Sequence, residues 1–289
     1  MAKKNAIGHV TGLYRYPVKS MAGEHISRSR VTKNGFVGDR AWAIRDEVRG
    51  GIKGAKRFAP LMSCRAYYPN PPTQSSSEVA HIVLPDGSEY ETGDPSLVDA
   101  LSVLVDNPIS LWPLVDPTDL EHYKRTASDT TDPRAELKRI FGRTPEESLP
   151  DLSGFPKELV EYESMPGTYF DALPILIMSE QSLASLNRLA PESIFDLRRF
   201  RPNLLLDLPD LGDFPERSLL GQTVTVGSTT FDVKLECPRC IMTTHGLDEL
   251  PRDTKILRTL VETCDGNLGV YAEVRAEGIV SANDTIHVE

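Results

Sequence analysis

The feature that most constrains this fold is how its apolar residues are spaced. They fall in short runs, many of them alternating, and glycine or proline interrupts them every few residues. The 289 residues include 20 Gly and 22 Pro, and no run approaches the roughly 18–20 apolar residues of a membrane helix. Ile7-Gly-His-Val-Thr-Gly-Leu-Tyr-Arg-Tyr16 alternates with the two-residue period of a half-buried strand. Ile26 to Thr32 reads the same way. Turns at Lys33-Asn-Gly35 and Gly38-Asp39 then lead to Ala41-Trp-Ala-Ile-Arg45, and His81 to Thr92 reads as a hairpin around Pro85-Asp-Gly87. Short strands with this punctuation favour barrels over a doubly wound sheet.

Helices are fewer. Asp94 can cap a helix that has Pro95 at its first position and runs to Val105. Ser179 can cap a second, following the apolar strand Leu173–Met178. Residues Pro117 to Pro156 are polar and read as a long connection with short helices. Phe200–Asp207, Leu219–Val226, Thr229–Cys237, Gly269–Val274 and Gly278–His287 read as strands of a second β-rich unit. The expected fold is mainly β with α: an N-terminal β-barrel-like domain over residues 1–115, a connection over 116–169, and a C-terminal β-barrel with peripheral helices over 170–289.

The formal net charge is -10 and the sequence pI about 5.2, which argues against nucleic acid or an anionic membrane as a general partner. The N-terminus lacks an apolar signal core, so a cytoplasmic protein is expected. The four cysteines are too few for a disulfide scaffold of this size.

Two of them form Cys237-Pro-Arg-Cys240. Such a pair can be half of a zinc site, a dithiol or an incidental pair. Cys64 and Cys264 are isolated, and with His245 they offer no tidy second pair of ligands. Thr243-Thr-His-Gly246 is a poor helix start, which weakens a thioredoxin-like reading. A functional thiol and a buried structural cysteine both stay open. Elsewhere, Tyr16-Pro-Val-Lys-Ser20 ends a strand in a turn with an ammonium, a hydroxyl and backbone N–H groups suited to phosphate. Each of these signals alone reads as an exposed turn or an ion pair. With Gly38-Asp-Arg40 and the cluster Arg198-Arg-Phe-Arg-Pro-Asn203, they favour a pocket for an anion.

Tyr16-Pro-Val-Lys-Ser-Met-Ala-Gly23, Gly38-Asp-Arg-Ala-Trp42, Arg199-Phe-Arg-Pro-Asn203 and Cys237-Pro-Arg-Cys-Ile-Met-Thr-Thr244 occur in an order that resembles the MOSC-domain proteins carrying an N-terminal β-barrel domain. That group includes the mitochondrial amidoxime-reducing component and its bacterial relatives. The resemblance implies a molybdenum cofactor (molybdopterin) with Cys240 as the protein's metal ligand. It implies Lys19, Ser20, Arg40, Arg201 and Asn203 as cofactor contacts. Asp210 falls near an acidic residue of the substrate side, and Arg239 and Thr243 are further candidates there. Two positions depart from the pattern: Pro238 stands where relatives often have Ser, and Ala172-Leu173 where they have small hydroxyl residues. No cysteine cluster for an iron–sulfur centre is present. The implied activity is reduction of small N-hydroxylated or N-oxide substrates with electrons from a separate protein. A carrier or sulfur-transfer role for Cys240, or a non-catalytic binding module, are the alternatives.

Overall fold

The computed structural model describes residues 5–73, 77–126 and 130–289. Its centre is a closed barrel of seven strands. In order around the wall these are Leu204–Asp207, Ile175–Ser179, Asn267–Ala276, Thr229–Pro238, Thr223–Val226, Thr285–Val288 and Asn5–Arg15, and Asn5–Arg15 pairs back onto Leu204–Asp207. Closure leaves these strands no free edge. Their inward residues, among them Val10, Leu13, Ile175, Ile177, Leu204, Phe231, Val270 and Ile286, form one apolar core.

The first strand therefore crosses into the C-terminal barrel, 160 residues before the next wall strand in sequence. Gly8 shows why glycine is needed along it. A Cβ there would sit 2.0 Å from the Asp207 carbonyl oxygen of the neighbouring strand.

One neighbouring pair in the wall is parallel, Ile177 opposite Leu204. Parallel neighbours need a crossover connection. Here it is helical, Glu180–Leu189 followed by the short helix Leu197–Phe200. Ser179 caps the first of these, its hydroxyl accepting from the Ser182 N–H at 3.1 Å. Phe200 therefore ends a helix instead of opening a strand, and the strand begins only at Leu204. Asp196 caps this turn, its side chain accepting from the Arg198 N–H at 2.9 Å. The helix Lys255–Cys264, which has no counterpart in the strand pattern, packs Ile256, Leu260 and Cys264 against the outer side of the wall with Met178 and Phe200.

The N-terminal domain is built of small three-stranded sheets. Trp42–Asp46 pairs with Ile52–Lys53 and with Ile109–Pro113. Arg65–Tyr67, His81–Val83 and Glu89–Glu91 form a second. Its core gathers Val18, Met21, Ile44, Leu61, Ile82, Leu97 and Leu101. The helix Pro95–Val105 lies where the sequence puts it, with Asp94 Oδ1 accepting from Ser96 N at 2.8 Å. A third small sheet joins the two ends of the chain: Arg28–Thr32 pairs with Gly35–Phe36 and with Gly278–Ser281. Gly278–His287 is thus two strands in two different sheets. The connection carries the short helices Leu120–Tyr123 and Pro133–Ile140. Among the described residues, six α-helices accompany these sheets, and no helix is long and apolar enough to cross a membrane.

Candidate functional site

The chain leaves the first barrel strand at Arg15 and turns through Tyr16-Pro-Val-Lys-Ser20. Tyr16 is buried, and two guanidiniums stack on its ring, Arg40 at 4.8 Å and Arg201 at 4.3 Å. Like charges so close repel each other, and the negative face of the ring offsets part of that cost. The Tyr16 hydroxyl donates to the Pro202 carbonyl at 2.9 Å, which fixes the ring to the Arg201 turn.

Asp39 organises the same spot. One of its oxygens accepts from the Tyr16 N–H at 2.7 Å. The other accepts from Asn203 Nδ2 at 2.9 Å and from the Arg40 guanidinium. Asn203 is 1% exposed and also ties the wall, its Oδ1 accepting from Leu176 N at 3.1 Å. Asn203 thus shapes the site from beneath it.

Ser20, Arg40 and Arg201 all sit in the left-handed backbone region, at φ 70, 48 and 59°. Residues other than glycine visit that region at a cost, and three of the seven such residues described fall in this one cluster. Sharp turns here bring three separate segments together. The Ser20 hydroxyl accepts from the Ala55 N–H at 2.9 Å, holding the loop that carries Lys56.

Lys19 is buried, and its ammonium donates to Asp171 Oδ1 at 2.5 Å and to the Tyr169 carbonyl at 2.8 Å. Burial pulls its pKa down, against the pull of Asp171. Lys56, half-exposed, lies 4.0 Å from the other Asp171 oxygen and within electrostatic reach of Cys240, and Asp171 raises its pKa. Burial, with Arg40 beside it, lowers Arg201 to about 10. Four cations (Lys19, Lys56, Arg40 and Arg201) thus face two carboxylates, Asp39 and Asp171. Buried cations short of counter-charge are costly, and a bound anion would complete the set.

Cys240 is half-exposed, at the start of the 3-10 turn Ile241–Thr244. Cys237 is buried, its thiol pKa raised by burial. Among the described residues no three His, Cys, Asp or Glu side chains are placed to hold a metal ion. His245 bonds through Nε2 to the Ala55 carbonyl at 3.0 Å and is no partner to the thiol pair. The protein offers one accessible thiol beside a cationic cradle. Such a donor set suits a metal that arrives with its own anionic organic ligand, and so fits a pterin cofactor.

Lys19, Ser20, Arg40, Arg201, Asn203 and Cys240 come from segments far apart in sequence, and they converge here. Arg239 does not face a substrate. It is buried, and it donates to the Leu268 carbonyl at 2.8 Å and to the Phe200 carbonyl at 2.9 Å. The Thr243 hydroxyl is likewise spent, on the Cys240 carbonyl at 3.0 Å. Asp210 is exposed, in the turn after strand Leu204–Asp207, close in sequence to Asp213, which binds Ser185 and Arg188 of the crossover helix. No hydrogen bond or ion pair joins Asp210 to the cluster among the described residues. That strand runs from Asn203 away from the cation cradle.

Asp171, Lys56 and Tyr16 were not singled out by sequence. Asp171 stands one residue before the Ala172-Leu173 pair, and only the fold shows that it meets Lys19. Arg199 was quoted only as part of a motif. It is fully buried and bonds the carbonyls of His245 at 2.7 Å and Pro251 at 2.8 Å, clamping the loop after Cys240.

The family model for the MOSC domain matches residues 164–287, and that for the MOSC N-terminal beta barrel domain matches residues 7–92. The chain is 25% identical to mitochondrial amidoxime reducing component 2 of Homo sapiens, over 97% of this chain and 83% of that one. The Macaca fascicularis protein of the same name gives the same identity and coverage. Among solved structures, the YUAD protein of Bacillus subtilis aligns with a TM-score of 0.47 at 13% identity, covering 100% of this chain and 98% of that one. The two family models together take in most of the chain, in the order its motifs require, and the chain belongs to the MOSC-domain proteins that carry an N-terminal β-barrel domain.

Proposed function

We propose that this protein binds a pterin-based molybdenum cofactor through Cys240 and uses it to reduce N-hydroxylated or N-oxide compounds, with electrons from a separate protein. One observation carries the reading: a half-exposed thiol beside a buried cation cluster short of counter-charge. The names of the relatives point the same way. When bound, the cofactor supplies two-electron removal of oxygen from nitrogen.

The chain's own residues do the rest. Cys240 offers the sulfur that would fix the metal, with Lys56 within electrostatic reach of it. Arg40, Arg201, Lys19 and Ser20 take the anionic end of the cofactor. Asp39 and Asn203 hold Arg40 and the Tyr16 turn in place. Asp171 anchors Lys19, and against the pull of burial Lys19, Lys56 and Arg40 hold its carboxyl well below the usual carboxylate range, so that it stays an anion. Tyr16, buried between cations, keeps water from the cradle.

The test is molybdenum and pterin content of purified wild type and Cys240→Ala, from a host that makes the cofactor. Wild type is expected to hold both and the variant to lose the metal. Equal molybdenum in the two would end the assignment. Donor-dependent reduction of a panel of N-hydroxylated compounds then tests catalysis. Bound cofactor with no turnover across the panel would make the chain a carrier.

A further inference from the structure

The connecting segment reaches the thiol loop from outside the barrel. Past the helix Pro133–Ile140, Glu147 ties it to the helix Lys255–Cys264 by accepting twice from Arg258, at 2.7 and 3.0 Å. Arg143 stands between that helix Pro133–Ile140 and this tie. Its side chain is only 5% exposed, although its partner Asp265 is 76% exposed. A surface ion pair has no need to bury its guanidinium, and burial costs hydration. Arg143 holds backbone as well as charge. It donates to Asp265 Oδ1 at 2.8 Å and to the Asp265 carbonyl, 122 residues further along the chain.

The turn it grips is strained. Asp265 and Gly266 are both left-handed, at φ 52 and 78°. The Gly266 N–H donates to the Leu260 carbonyl at 2.8 Å, which closes the helix. The double bend then places Asn267 opposite Pro238 in the barrel wall. It also aims the Gly266 carbonyl at the Arg239 N–H, which donates to it at 2.7 Å. Two residues on, the Leu268 carbonyl accepts from the Arg239 guanidinium at 2.8 Å. Arg239 is thus fixed by this turn through its backbone and its side chain, and the next residue is Cys240. A left-handed residue other than glycine persists only where its surroundings hold it. At Asp265 the holder is the two-pronged contact from Arg143.

We propose that Arg143 is a positioning residue for the Cys240 thiol: from the connecting segment it holds the Asp265–Gly266 turn, which fixes Arg239 and so sets where Cys240 stands. Its use for a cofactor rests on the reading given above; the positioning itself does not.

The full-length wild type, Arg143→Ala, Arg143→Lys and Glu147→Gln are prepared from a host without the cofactor. Iodoacetamide labelling of each cysteine is followed by mass spectrometry. In Arg143→Ala the Cys240 rate should rise about fivefold as the loop samples open positions, while the buried Cys64 and Cys264 stay protected. Lysine reaches one of the two acceptors at a time, so Arg143→Lys should show a rise of about twofold. That smaller rise decides the matter if Arg143→Ala does not fold. Glu147→Gln weakens the neighbouring tie without touching Asp265 and should label like wild type. An unchanged Cys240 rate in the Arg143 variants overturns the proposal. So does a rise shared by Cys64 and Cys264, which marks unfolding, or one matched by Glu147→Gln, which marks the segment as a whole. Molybdenum content of wild type from a host that makes the cofactor separates the two readings. No molybdenum with the expected labelling sinks the cofactor reading and leaves the role of Arg143 standing. Bound molybdenum with flat labelling does the reverse.

Discussion

Arg199 offers the sharpest test of how the thiol is positioned. Replacing it with alanine removes a side chain that is 2% exposed and leaves four backbone carbonyls without their donor: Ile194 at 3.2 Å, Thr243 at 3.3 Å, His245 at 2.7 Å and Pro251 at 2.8 Å. The last three belong to the loop after Cys240. A hydrogen bond to a charged group contributes about 1.5–3 kcal/mol net. Counting only the two short ones gives about 3–6 kcal/mol. Removing a buried charge relieves some desolvation, so the expected loss is about 3–4 kcal/mol, a large part of the roughly 5–15 kcal/mol that holds a domain together. Arg199→Lys keeps the charge without the planar fork and should recover only part of it. Guanidinium chloride unfolding measures the loss, and limited proteolysis between residues 241 and 252 reports the loop. A loss below about 1 kcal/mol, with that loop still protected, would refute the clamp.

Two further outcomes follow from buried groups. Glu216 is fully buried with its Oε2 held by the hydroxyls of Ser179 and Ser182 and its Oε1 unpartnered, and burial raises its pKa above the ordinary 4.5. The neutral form is the one the fold favours, so its contribution is full below the unfolded value of 4.5 and is lost as pH rises through the raised folded value. Glu216→Gln should therefore match wild type near about pH 4 and gain in Tm as pH rises toward about 8; a difference that does not change with pH would refute this. Among the thiols, Cys64 is buried and pushed up to about 12, and Cys237 and Cys264 are buried and raised, whereas Cys240 is half-exposed. Iodoacetamide on the native protein should modify Cys240 first, and mass spectrometry showing Cys64 or Cys264 labelled at the same rate would contradict the burial pattern.

Local chemistry wrote much of this fold into the sequence. The two-residue alternation of Ile7–Tyr16, the caps at Asp94 and Ser179, and the hairpin around Pro85-Asp-Gly87 each follow from forces acting within a few residues. The four basic and thiol motifs were legible as well, because each keeps its own turn and its own residue types. Partnership was not legible, because a strand carries no mark of which neighbour it will bond. The first strand closes the second domain's barrel, and Gly278–His287 splits between two sheets, only because the wall needed those edges covered. The same holds for direction. Arg239 and Arg199 look like ligand-binding arginines in sequence, yet packing turns both onto backbone carbonyls, while Arg40 and Arg201 stack on Tyr16, Arg40 paired with Asp39 and Arg201 with no carboxylate in ion-pair distance among the described residues. Sequence named the residue types of an anion pocket; long-range packing decided which of those side chains meet around Tyr16 and which are spent on backbone carbonyls, because partnership is set by contacts between segments far apart in the chain.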